Sequence, residues 1–150
     1  MRLEERIHSD MKTALLGGNR FEGEVLRNLK AAFLNEEVAT GTRETGLSDE
    51  IAEKVIAREV KKRKESITLY HDNDRDDLAE NEQKELEVLE RYLPQQLSED
   101  EVRELATQVI TETGASSPQQ MGQVIGGVKA KAGNAADGAL VAKIVKELLS

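Results

Sequence analysis

Apolar residues recur at helical spacing along nearly the whole chain, and that spacing predicts the elements. Leu3, Ile7, Met11 and Leu15 repeat every fourth residue until Gly17-Gly18-Asn19 stops the helix. A second helix is expected from Arg20 to Val38, with Val25, Leu26, Leu29 and Phe33 facing inward. Residues Ala39 to Leu47 carry two glycines and three threonines and read as a loop. Ser48 before Asp49 and Glu50 opens a third helix, since acids suit the positive end of the helix dipole. That helix carries Ile51, Val55, Ile56, Val60 and Ile67 and is expected to end near Tyr70. HDNDRDD then forms a polar turn, and a fourth helix bears Leu78, Leu86, Leu89 and Leu93 before Pro94 ends it.

Beyond Pro94 the helix signals sharpen. Ser98-Glu99-Asp100-Glu101 is a capping box, in which the serine and the glutamate each satisfy the other's free backbone N–H. Val102, Leu105, Ala106, Val109 and Ile110 form one stripe, and Gly114 is a C-terminal stop. Ser117, Pro118 and Gln120 start the next helix, with Met121, Ile125, Val128 and Ala132 as its stripe and Gly133 at its end. Asp137 caps a last helix bearing Leu140, Val141, Ile144, Val145 and Leu148. Strand-like alternation and internal repeats are both missing. The expected fold is all-α: a four-helix N-terminal unit over residues 1–94 and a small three-helix domain over 95–150.

Composition adds limits. Phe21, Phe33, Tyr70 and Tyr92 are the only aromatic residues, so aliphatic side chains must fill the core. The chain has no cysteine, which excludes disulfides, thiolate metal sites and cysteine nucleophiles. No stretch approaches the roughly 20 apolar residues that span a bilayer, so no membrane partner is expected. MRLEERIHSDMK lacks the apolar core of a signal peptide, and a cytoplasmic location follows as an expectation. The net charge of −8 argues against nonspecific binding of nucleic acid by the whole molecule, and DNA is not expected as a partner.

Motifs of catalysis fail one by one. Gly122 and Gly127 have the separation of a phosphate loop, but Val128 and Lys129 stand where Lys and Ser or Thr are required. Asp72, Asp74 and Asp76 alternate as in a calcium loop, yet Asp77 and Gln83 occupy the positions that need Gly and Glu. His8 and His71 lie far apart without metal-site spacing; His8 is expected on the exposed side of the first helix, and His71 in a turn. No nucleophile elbow exists. The sequence therefore nominates no catalytic residue, metal or cofactor.

Two basic features remain. Arg58, Lys61, Lys62, Arg63 and Lys64 span nearly two turns of the third helix, partly offset by Glu59 and Glu65. From Gly114 to the C-terminus, Lys129, Lys131, Lys143 and Lys146 face only Asp137 and Glu147. Gly122, Gly126, Lys129 and Gly133 fall on one continuous helix face. Such a face either packs tightly against a neighbouring helix or lies bare against a sugar–phosphate backbone. Gly127 lies off that face, with no role legible in the sequence.

LRNLKAAF, RDDLAENEQKELEVLERYLPQQLS, ETGA and MGQVIGGVKAKAGNAADGALVAKIVKELL together resemble the YqeY-like family over essentially the whole chain. The family's usual AGR before the fourth helix is Asn73-Asp74-Arg75 here. The C-terminal part is similar to the tail domain of GatB, a subunit of the glutamine-dependent tRNA amidotransferase. The resemblance implies an all-α fold and a C-terminal domain that holds tRNA by shape. It also brings the family's label of carbon–nitrogen ligase with glutamine as amide donor, although regions corresponding to the catalytic cradle are missing. The expectation is a tRNA-associated accessory protein, with Gly122, Gly126, Lys129, Lys131, Lys143 and Lys146 as RNA contacts. The alternative is an adaptor docking on an amidotransferase or an aminoacyl-tRNA synthetase.

Overall fold

A computed structural model describes all residues from Met1 to Ser150, and it is all-α, as expected. The helices are α1 (Leu3–Leu16), α2 (Arg20–Thr40), α3 (Asp49–Asp72), α4 (Asp76–Glu90), α5 (Glu99–Thr113), α6 (Met121–Ala132) and α7 (Gly138–Leu149). Short 3₁₀ turns at Pro118–Gln120 and Gly133–Ala135 flank α6. The chain divides into two compact units, Met1–Leu93 and Pro94–Ser150.

In the first unit α1 pairs with α2 and α3 with α4. Leu3, Ile7, Leu26, Leu29, Phe33, Val55, Ile56, Leu86 and Leu89 fill its core. Leu15 departs from the expected stripe: it is 41% exposed, while Ala14 is buried. At about 100° per residue, Leu15 has drifted roughly 120° from Leu3, whereas Ala14 returns to within about 20°. Leu15 leans instead over α2, where a Cβ on Gly23 would stand 2.4 Å from its Cδ2.

Helix α2 runs two residues past its expected end and stops at Gly41, whose φ of 70° is left-handed. The Arg2 guanidinium then holds the following loop, donating to the Thr45 carbonyl at 2.8 Å and the Leu47 carbonyl at 2.6 Å. Ser48 caps α3 by accepting from the Ile51 N–H. The turn between α3 and α4 is shorter than expected. His71 and Asp72 still belong to α3, Asp76 and Asp77 already belong to α4, and Asp74 alone among non-glycine residues has a positive φ, 58°. His8 also differs from expectation. It is half-buried between α1 and α2, within 2.6 Å of Lys30 Nζ, because the α2 side chain reaches across to it.

In the second unit the Ser98–Glu101 capping box is formed in both directions, at 3.1 Å each way. Val102, Ala106, Val109, Val124, Val128, Val141, Ile144 and Val145 make the core. On α6 the inward direction is rotated from the expected stripe. Val124 and Val128 are fully buried, while Met121, Ile125 and Ala132 are only partly so. The cause is that α6 packs on both α5 and α7, so its buried face points between two neighbours. The Pro94–Leu97 segment is fixed by the Leu97 N–H donating to the Ala135 carbonyl at 2.8 Å and the Gln96 amide donating to the Asn134 carbonyl at 2.9 Å.

Candidate nucleic-acid interface

Helix α6 contains three glycines, and the structure gives them two different surroundings. A Cβ on Gly127 would stand 2.6 Å from Val109 Cγ1, so this glycine is what lets α6 approach α5. A Cβ on Gly122 or Gly126 would meet nothing within 4 Å, and both residues are exposed. The face bearing Gly122 and Gly126 is thus not the one that packs inside this unit. Each exposed glycine still weakens the helix by about 1 kcal/mol relative to alanine.

Lys129 follows on that open side of α6. Its Nζ lies 3.9 Å from where a Cβ of Gly138 would be, which places the ammonium beside the first turn of α7. Lys131 behaves differently. It lies roughly 140° around the helix from Gly126, toward α5, and pairs with Glu112 at 3.1 Å. Lys143 and Lys146 lie one turn apart on the exposed side of α7, away from buried Val141, Ile144 and Val145.

The two acids that follow Gly114 are both engaged. Asp137 caps α7, accepting from the Leu140 N–H at 3.1 Å. Glu147 accepts from Arg103 at 2.9 Å, and Arg103 also lies 3.7 Å from Glu99. The Arg103 hydrogen bond holds the Glu147 carboxyl below its ordinary range, with Lys143 adding a smaller pull in the same direction. None of the ion pairs in the structure involves Lys129, Lys143 or Lys146. Sequence reasoning did not assign Arg103 and Glu112, whose partners lie 44 and 19 positions away.

The basic run on α3 has another disposition. Arg58 pairs with Glu36 at 2.8 Å, Lys62 with Glu59 at 3.1 Å and Arg63 with Glu85 at 3.5 Å. Arg63 is turned inward, its side chain only 16% exposed. Lys61 and Lys64 remain exposed and outside the ion pairs. Three of the five charges are thus compensated locally, and the run does not form one cationic face.

A family model described as Yqey-like protein matches residues 4–149. The chain is also similar to proteins called altered inheritance of mitochondria protein 41, mitochondrial. That of Clavispora lusitaniae is 32% identical over 71% of this chain and 62% of its own length. That of Kluyveromyces lactis is 30% identical over 80% of this chain and 65% of its own. That of Pyrenophora tritici-repentis is 28% identical over 96% and 79%. The chain thus spans somewhat less than two thirds of the first two relatives. Their names correct the cytoplasmic expectation, because all three are mitochondrial proteins by name. The physical reason is that a missing secretory signal speaks to export alone and leaves organellar addresses open.

Proposed function

The chain belongs to the Yqey-like protein family, and from that premise we propose that it is an RNA-associated accessory protein whose C-terminal unit lies against the backbone of tRNA. The observation that carries this reading is the set of three lysines, Lys129, Lys143 and Lys146, that stand outside the ion pairs of a chain of net charge −8. The open glycines support it, since Gly122 and Gly126 leave room beside Lys129 that no part of their own unit fills. Resemblance of the C-terminal helices to the GatB tail supports the choice of tRNA. Contacts of this kind go to phosphate and 2′-OH groups and read shape rather than sequence. Chemistry on the RNA is not part of the proposal.

Gel shifts with total tRNA at low salt test the reading. Wild-type protein is expected to shift tRNA, and the variant carrying Lys129→Glu, Lys143→Glu and Lys146→Glu is expected to lose the shift while remaining helical by circular dichroism. A folded variant that shifts tRNA as well as wild type contradicts it.

A second reading draws on exposed apolar residues of the first unit. Leu16 is 89% exposed, and Phe21 and Val38 are also exposed. These suit an adaptor that docks on an amidotransferase or a synthetase. Partners that stay bound after RNase treatment, and are lost on Leu16→Ser with Val38→Ser, would favour the adaptor.

A further inference from the structure

The α1–α2 pair carries a cleft of about 490 Å³, within the range of roughly 300–1,000 Å³ typical of small-ligand sites. His8 of α1 lines one side of it, and Lys30, Ala31 and Leu34 of α2 line the other. Glu4, Glu5 and Glu37 close its far end. Glu4 and Glu37 hydrogen-bond to each other and call for no ligand. Lys30 and Glu37 are seven residues apart on α2, or about 10 Å along the axis, so the cationic end stands apart from the acids.

At the cationic end Lys30 Nζ lies 2.6 Å from His8 Nδ1. An ammonium only donates, so Nδ1 accepts and the imidazole proton sits on Nε2. The Lys30 charge, partial burial and then Lys12, one turn beyond His8 on α1, hold the imidazole below its ordinary pKa. Three side chains therefore bring N–H donors together, and the one acceptor among them is already used by Lys30. Neither Lys12 nor Lys30 belongs to an ion pair. One turn from Lys30 stand Leu26, Arg27, Phe33 and Leu34, none of them acidic, and Arg27 pairs with Glu24 at 3.6 Å. Lysine is seldom buried without a charged partner. Lys30 is nevertheless half-buried beside a neutral imidazole and a second lysine, in a chain of net charge −8. A donor cluster of this kind lacks an oxyanion.

We propose that this end of the cleft binds a small phosphate monoester. Its phosphate accepts from Lys30, Lys12 and the His8 Nε2–H, and its apolar stem lies on Ala31 and Leu34. A dianion matches the two lysine charges, whereas a carboxylate leaves one of them uncompensated. The acids at the far end repel the phosphate and so fix which way the ligand points. The site lies in the first unit, apart from the lysines of the C-terminal unit, and does not depend on the RNA reading. Bound phosphate offsets Lys30 and Lys12, the two charges that hold His8 down, so the His8 pKa rises on binding.

NMR titration of the full chain with phenyl phosphate, benzoate and phenol tests the site. The chain has two histidines, so the His8 ring signals are read against His71, which pairs with Asp76 at 2.7 Å and serves as the control. Phenyl phosphate is expected to bind saturably and to raise the His8 pKa while leaving that of His71 in place. Benzoate and phenol are each expected to bind at least about tenfold more weakly, the loss of one charge-assisted hydrogen bond or more. Lys30→Gln should weaken phenyl phosphate by a similar factor and leave the tRNA gel shift unchanged. Phenyl phosphate that does not saturate, a His8 pKa that it does not move, or equal affinity for benzoate overturns the proposal without recourse to any variant. Loss of the tRNA shift in a folded Lys30→Gln chain overturns it too, by giving the site to RNA.

Discussion

Gly127 sits against Val109 where α6 meets α5, with only 2.6 Å between the valine Cγ1 and the place a Cβ on the glycine would take. One residue earlier, Gly126 faces open space. Adjacent glycines on one helix therefore answer to different demands, and substitution separates them. Gly127→Ala forces a methyl into Val109 and is expected to destabilise the protein by about 1–3 kcal/mol. Gly126→Ala is expected to stabilise it by up to about 1 kcal/mol through helix propensity. Urea denaturation followed by circular dichroism reads both, and opposite signs are the expected result.

Glu4 makes the first unit sensitive to pH. Its carboxyl titrates near 7 in the folded chain, raised from 4.5 chiefly by burial and by Glu37. The folded state therefore binds this proton more tightly than the unfolded state does. The stabilisation is fully present below the unfolded value and is lost as pH climbs through 7. Unfolding free energy, measured by urea titration, is expected to fall between pH 6 and pH 8. Glu4→Gln, which is neutral throughout, is expected to flatten that fall.

Arg103 influences the proposed RNA face without belonging to it. It holds Glu147, which otherwise stands beside Lys143 on α7. Arg103→Gln is expected to free the carboxylate to offset Lys143 and so weaken tRNA binding, with little change in stability because the pair is solvent-exposed. Restoring neutrality with Glu147→Gln in the same chain should return the affinity. Fluorescence anisotropy with labelled tRNA measures each step.

The helices were legible because each buries one face, and burial imprints its period on local sequence. Ser98, Asp137 and Gly114 marked ends through their own backbone needs. Depth within a face was less legible. The four-residue step from Leu3 to Leu15 drifts around the helix, and Val124 became a core residue because α6 has two neighbours. Contacts made across the fold left no local trace. Glu37 lies 33 positions from Glu4 and Val109 lies 18 from Gly127, and neither partner's type announces the other. The lysine list met the same limit, since nothing near Lys131 in sequence announced the Glu112 that pairs with it.

The most direct test of the proposed function is the salt dependence of tRNA binding, compared between wild type and a variant with Lys129, Lys143 and Lys146 all changed to Gln. Each phosphate neutralised by a lysine contributes about 0.7–0.9 to the slope of log affinity against log salt. If the three lysines contact phosphates, the wild-type slope is steeper than the variant's by about 2–3. Equal slopes, or no tRNA binding by wild type at the lowest salt, would contradict the account.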